Sequence, residues 1–241
     1  MKNMMIILSY GMKMKNRYLI VTTKSWNIHN FELLKNKFSN NEWYLIKDKT
    51  NFTYDNVIEI NPKYIFFPHW SWKIPKDLYE NYECIAFHMT DLPFGRGGSP
   101  LQNLIIQGYK KTKVSAFKVT DKLDAGPIYL KKDLVLDGTA DEIFRRASKI
   151  IFFEMIPHIM KNTPEPHPQK GKTTIFKRRR PEDSDISNLN DLDKVYDYIR
   201  MLDAESYPKA FIEKNNIRIE FKNAKKKKNK IVANAKIIIK E

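Results

Sequence analysis

Three features of the sequence predict an α/β chain with a Rossmann-like, mostly parallel sheet and a small C-terminal α+β appendage. The runs Tyr64-Ile65-Phe66-Phe67 and Cys84-Ile85-Ala86-Phe87 are short and wholly apolar, as strands buried on both faces are. Segments with helical spacing alternate with them, the order that builds a doubly wound sheet. A proline-rich break from Thr163 to Pro168 closes that pattern, and a further helix and short strands begin near Pro181.

Taken in order, Tyr18 to Val21 reads as a buried strand, and Phe31 to Phe38 carries helical spacing through Leu34. Tyr64 to Phe67 follows as a strand ended by Pro68, then the aromatic loop His69 to Pro75, a helix over Lys76 to Asn81 and the strand Cys84 to Phe87. The turn Gly95-Arg96-Gly97-Gly98 leads to a helix over Pro100 to Gln107, with Ser99 as its cap and Pro100 at its first position. Val114 to Val119 and Pro127 to Leu136 are strands around the turn Asp121 to Gly126. Thr139 and Glu142 form a capping box before an amphipathic helix reaching about Met160. Beyond Pro181, a helix over Leu192 to Leu202 and strands at Ala210 to Ile212 and Ile217 to Phe221 complete the appendage. The expected division is therefore 1–180 and 181–241.

With 241 residues, 42% of them hydrophobic, the chain has enough apolar surface for one sizeable core. The apolar run Met4 to Leu8 is too short for a signal-peptide core, and no stretch approaches a membrane span, so a cytoplasmic protein without a membrane partner is expected. The single cysteine, Cys84, reads as a buried small apolar residue. The formal charge of +15 is spread along the chain and denser toward its end. Its basic runs, Lys177 to Arg180 and Lys225 to Lys228, lack the interleaved aromatic platforms of a nucleic-acid-binding module, so nucleic acid is not the expected partner.

In a doubly wound sheet, ligands bind beyond the carboxyl ends of the strands, which directs attention to the loops after Phe67 and Phe87. His88 follows the second of these strands, and Asp124 lies in the tight turn Leu123-Asp124-Ala125-Gly126. A histidine oriented by a carboxylate can take a proton from an attacking nucleophile while the carboxylate stabilises the imidazolium.

The ordered string IAFHMTDLPFGRGGSPLQNLIIQG, followed by KLDAGPI, resembles the signature of the methionyl-tRNA formyltransferase and sugar N-formyltransferase superfamily. The matching positions are His88, Leu92-Pro93, Arg96-Gly97, Pro100, Asp124 and Gly126. The resemblance implies the formyltransferase fold, 10-formyltetrahydrofolate as formyl donor without a metal, and His88 and Asp124 as catalytic residues. The asparagine of the family pattern, which helps bind the formyl oxygen, falls at Ala86, and Asn103 or backbone amides are the candidates to replace it. The resemblance further implies donor contacts at Trp70, Trp72, Lys73, Ile74, Leu92 and Asp121; apart from it, Arg96 near a helix start and the basic residues Lys177, Arg178 and Arg179 are the candidates to meet substrate phosphate by charge-assisted hydrogen bonds.

Fewer residues follow Pro181 than in a complete C-terminal domain of the tRNA enzymes, and the truncated appendage is similar to that of sugar N-formyltransferases, where it assists dimerisation. A nucleotide-linked amino-dideoxy sugar such as dTDP-4-amino-4,6-dideoxyglucose, destined for O-antigen or other surface polysaccharide, is therefore the expected acceptor, with a homodimer expected. Methionyl-tRNA formylation is the alternative, and the phrase from Met201 to Ala224, with Tyr207-Pro208 and Ala210-Phe211, resembles the opening of that domain.

Overall fold

The computed structural model describes residues 15–240, so the run Met4 to Leu8 lies outside the described residues. A six-stranded sheet of order β2-β1-β3-β4-β6-β7 organises the chain. Its strands are β1 (Arg17–Val21), β2 (Glu42–Ile46), β3 (Tyr64–Pro68), β4 (Cys84–His88), β6 (Lys111–Lys118) and β7 (Ile128–Val135). The first four run parallel, whereas β6 pairs antiparallel with both β4 and β7.

Helix α1 (Ser25–Lys37) joins β1 to β2; α2 (Tyr54–Ile60) leads to β3 and α3 (Lys76–Asn81) to β4. The apolar runs of β1, β3 and β4 divide by strand periodicity. Tyr18, Ile20, Tyr64, Phe66, Ile85 and Phe87 enter the core on one face, while Leu19, Val21, Ile65, Phe67 and Cys84 enter the other, against Val57 and Leu78. Phe66 is fully covered, a burial that stabilises the fold by roughly 2–3 kcal/mol. Cys84 is also covered, and burial, followed by the neighbouring Glu83, pushes its thiol up to about 12.

The short strand β5 (Arg96–Gly97) precedes α4 (Pro100–Ile106) and pairs with β8 (Ile175–Phe176). Ser99 occupies the N-cap position of α4, but its side chain makes no capping hydrogen bond. It adopts a left-handed conformation, and its Oγ accepts a hydrogen bond from the Arg179 amide instead. Helix α5 (Ala140–Ile150) starts at the expected capping box of Thr139 and Glu142. The sequence periodicity predicts one helix to about Met160; the structure inserts a wide turn over Ile151–Met155 before α6 (Ile156–Asn162). Pro157 explains the interruption, because it has no amide hydrogen to donate back to the preceding turn.

The appendage contains α7 (Leu192–Met201) and an antiparallel sheet of β9 (Ala210–Lys214), β10 (Ile217–Lys227) and β11 (Lys230–Ile239). Arg200 ties α7 to the main sheet by donating to the Leu136 and Gly138 carbonyls. Strands β2 and β11 and helix α2 were not legible as elements. The run Lys225 to Lys228 extends β10 as far as Lys227, with all three strand lysines exposed. Among the described residues, no helix is long and apolar enough to cross a membrane.

Candidate active site

His88 is the last residue of β4 and faces a cavity of about 650 Å³. The chain then curls through Leu92-Pro93 until the Gly95 carbonyl meets His88 Nε2 at 2.8 Å. A carbonyl only accepts, so Nε2 carries the hydrogen and Nδ1 of the neutral ring keeps its lone pair.

Asp124 reaches the neighbourhood of Nδ1 from the loop after β6. Because β6 runs antiparallel to β4, it ends with Lys118 beside Ile85, and Ser115 lies opposite His88. The loop after Val119 must therefore double back along the sheet. Gly126 makes this possible: a Cβ there would stand 1.7 Å from the Lys118 carbonyl oxygen, closer than any side chain tolerates. Asp124 itself adopts φ 50°, a left-handed conformation that aspartate tolerates better than most residues. Its Oδ2 lies 3.7 Å from His88 Nδ1 and accepts a hydrogen bond from the Gly97 amide at 2.9 Å. The first distance is too long for a hydrogen bond but short enough for strong attraction to an imidazolium in a site where both side chains are largely covered.

Two groups of residues form the cavity walls. One is aromatic and apolar: Phe67, Trp70, Trp72, Ile74, Tyr79 and Val119, with Trp70 and Trp72 rings 4.7 Å apart. The Trp70 indole nitrogen is covered and has no partner, which leaves a donor unsatisfied in this wall. Lys73 and Asp121 line the same cavity. The other group joins Lys24, Phe144, Tyr207 and the segment Arg178 to Arg180. Tyr207 stacks on Phe144 at 5.1 Å and Phe144 on Trp26 at 5.6 Å, with the Lys24 ammonium beside both outer rings. Burial pushes the Tyr207 hydroxyl up to about 12, against a smaller opposing effect of Arg178.

His69 stands between the groups at φ 53°, edge-on to Phe144 and Trp26. His69 borders the cavity, yet both its ring nitrogens are covered and unpartnered. Burial, reinforced by Lys24, pushes its pKa down to about 3.

Several expected site residues stand elsewhere. The Leu92 side chain is fully buried beneath the loop and does not line the cavity. The Arg96 guanidinium donates to Gln169 Oε1, at 3.2 and 2.7 Å, and Arg96 does not line the cavity. Asn103 does not replace the missing asparagine: its amide nitrogen donates to the carbonyls of Gly98, Ser99 and Lys177 at 3.0–3.1 Å, fastening α4 to the following segment. Lys177 is part of that fastening and not of the cavity wall, whereas Arg178 and Arg179 do line it. Ala86 lines the cavity with no polar group of its own. Lys24, Tyr79 and Tyr207 were missed; the first two carry no local signal, and Tyr207 was visible only inside the Tyr207-Pro208 phrase. Among the described residues, no group of His, Cys, Asp or Glu could hold a metal ion.

A family model described as the methionyl-tRNA formyltransferase C-terminal domain matches residues 181–238. The structure is similar to that of methionyl-tRNA formyltransferase from Clostridium thermocellum, with a TM-score of 0.91 and 55% identity, covering 93% of this chain and 99% of that one. Methionyl-tRNA formyltransferase of Thermodesulfovibrio yellowstonii is 28% identical over 157 residues, which is 61% of this chain and 51% of that protein. The chain thus spans about half the length of the curated relatives it matches. A sugar N-formyltransferase from Shewanella sp shares the fold at a TM-score of 0.65, with 15% identity over 83% of this chain and 93% of that one.

These similarities overturn the expected nucleotide-sugar acceptor. The expectation rested on the short appendage, and a chain matched over 99% of its own length at 55% identity is a methionyl-tRNA formyltransferase. Appendage length therefore does not separate the two groups.

Proposed function

The chain belongs to the formyltransferase family that includes methionyl-tRNA formyltransferase, and from that premise we propose that it moves a formyl group from 10-formyltetrahydrofolate to the amino group of methionyl-tRNA. The observation that carries the chemistry is the 2.8 Å contact of His88 Nε2 with the Gly95 carbonyl, which leaves Nδ1, 3.7 Å from Asp124 Oδ2, as the ring nitrogen able to accept a proton.

The donor supplies an electrophilic formyl carbon bound to nitrogen. Aromatic walls at Trp70 and Trp72 fit a flat heterocycle. A neutral amine attacks the formyl carbon, and His88 Nδ1 accepts the proton that the resulting ammonium sheds. Asp124 opposes the charge of the imidazolium. As the carbon–nitrogen bond to the donor breaks, His88 returns that proton to the departing nitrogen, which restores the neutral ring.

Lys24, Arg178 and Arg179 form the wall suited to an anionic acceptor. This reading revises the expectation that nucleic acid is not a partner: phosphates of the tRNA acceptor end are what those cations meet. Residues 1–180 carry the chemistry and residues 181–241 serve as the C-terminal domain in this proposal.

Competition tests the acceptor. The protein is given 10-formyltetrahydrofolate with methionyl-tRNA and an amino-sugar nucleotide together, and both products are read by mass. Formylmethionyl-tRNA as the dominant product, with a steep loss of rate as salt rises, is expected. Formylated sugar nucleotide with unmodified methionyl-tRNA would reverse the assignment.

A further inference from the structure

Gln169 lies in the stretch between α6 and β8, outside the cavity wall. Its side-chain amide is fully committed. Nε2 donates to the carbonyls of Asp124 and Gly126, each at 2.8 Å, and Oε1 accepts from Arg96 Nε at 3.2 Å and Nη2 at 2.7 Å. Two hydrogens and two lone pairs are all that such an amide offers, so its orientation is fixed.

The partners make a closed circuit. Three consecutive residues touch the three groups that matter: the Gly95 carbonyl meets His88 Nε2, the Arg96 guanidinium meets Gln169, and the Gly97 amide meets Asp124 Oδ2. Gln169 then returns to the backbone of Asp124, the residue held at φ 50°. Histidine and carboxylate thus take their positions from one short strand, and Gln169 is the side chain that ties the carboxylate's turn to it.

We propose that Gln169 is a positioning residue, which holds the Asp124 turn so that the carboxylate stays beside His88 Nδ1. The proposal rests on the reading that His88 and Asp124 carry the proton transfer. A residue acting only through Asp124 changes kcat more than KM, and its effect disappears once the Asp124 carboxylate is gone.

Four proteins test this: wild type, Gln169→Ala, Asp124→Ala and the double variant, assayed for formylation of methionyl-tRNA. Gln169→Ala is expected to lower kcat by about tenfold to a hundredfold, the cost of misplacing a reacting group by an ångström or less, with KM within about twofold. On the Asp124→Ala background it is expected to cost less than about twofold. Full multiplication of the two effects, or a change confined to KM, would overturn the proposal. Gln169→Glu keeps the side chain's size and its contact with Arg96 but removes both donated bonds, so it separates the clamp from folding. Impairment like that of Gln169→Ala is expected; wild-type kcat would overturn the proposal. The 15N signal of His88 Nδ1, recorded at fixed pH without substrate, adds a readout independent of activity. It is expected to move in Gln169→Ala toward its position in Asp124→Ala, and an unmoved signal would overturn the proposal. If the wild type formylates nothing, the functional reading fails while the nitrogen spectrum still decides the role of Gln169.

Discussion

His88 Nδ1 and Asp124 Oδ2 stand 3.7 Å apart although the strands that lead to them run in opposite directions. The carboxylate is brought there by a loop that doubles back, and it is held by the Gly97 amide. In the proposed mechanism Nδ1 accepts the proton shed by the attacking amine. His88→Asn removes the acceptor while keeping a polar group at the strand end. Turnover is expected to fall by about two to four orders of magnitude, with an unchanged circular dichroism spectrum. A folded variant with near-normal kcat would remove His88 from the mechanism.

Asp124→Asn preserves the shape of the turn and removes the charge that balances the imidazolium. A loss of at least about a hundredfold in kcat is expected, with a smaller change in KM. Steady-state kinetics on methionyl-tRNA check this, and equal losses from Asp124→Asn and from a neutral change at exposed Asp137 would deny the carboxylate a specific role.

Ala86 lines the cavity where the family pattern has a hydrogen-bond donor, and Asn103 is spent on three carbonyls. Ala86→Asn is therefore expected to raise kcat by about tenfold or more, the usual size of one oxyanion donor being about 3 kcal/mol at most sites. A lower or unchanged kcat would mean that another donor already serves the formyl oxygen.

His69 gives the fold a pH dependence. In the unfolded chain it takes up a proton near its ordinary value of 6.5, whereas in the folded protein burial and Lys24 push that value down to about 3. Between those values the unfolded state binds the proton and the folded state does not. Stability therefore rises with pH across this window, and it is lost on acidification by up to about 1.4 kcal/mol per pH unit. His69→Asn tolerates the positive φ and does not titrate. Urea midpoints between pH 7 and 5 are expected to fall less steeply in this variant, and identical slopes would exclude His69 as the source.

Arg178 is an exposed cation of the cavity wall close enough to act on the Tyr207 hydroxyl. Arg178→Ala is expected to raise KM for methionyl-tRNA severalfold and to reduce the slope of log affinity against log salt by about 1. An unchanged salt slope would place the phosphates elsewhere.

The parts of the fold legible in the sequence were those written in local chemistry. The apolar runs of β3 and β4, the Thr139 capping box and the helix over Lys76 to Asn81 all follow from composition and periodicity. Strand β2 was not read although Ser39-Asn40-Asn41 bounds it, because the run Glu42 to Ile46 is short and buries only Trp43 and Ile46, and β11 is an exposed lysine-bearing edge stabilised by pairing with β10. At the site, the ordered string pointed to His88 and Asp124, but partnership is a tertiary property. Arg96 and Asn103 have the right chemistry for ligand contacts, yet their hydrogen bonds are used internally. Gln169 and Lys24 were invisible because nothing near them in sequence marks what they meet across the fold.

Single-turnover formylation tests the central claim most directly: excess protein is mixed with methionyl-tRNA and 10-formyltetrahydrofolate, and formylmethionine released by mild base is weighed by mass spectrometry over time. Formylmethionine is expected to form with the wild type and to form at least about a hundredfold more slowly with His88→Asn. No formylmethionine from the wild type, or equal rates in the two proteins, would contradict it.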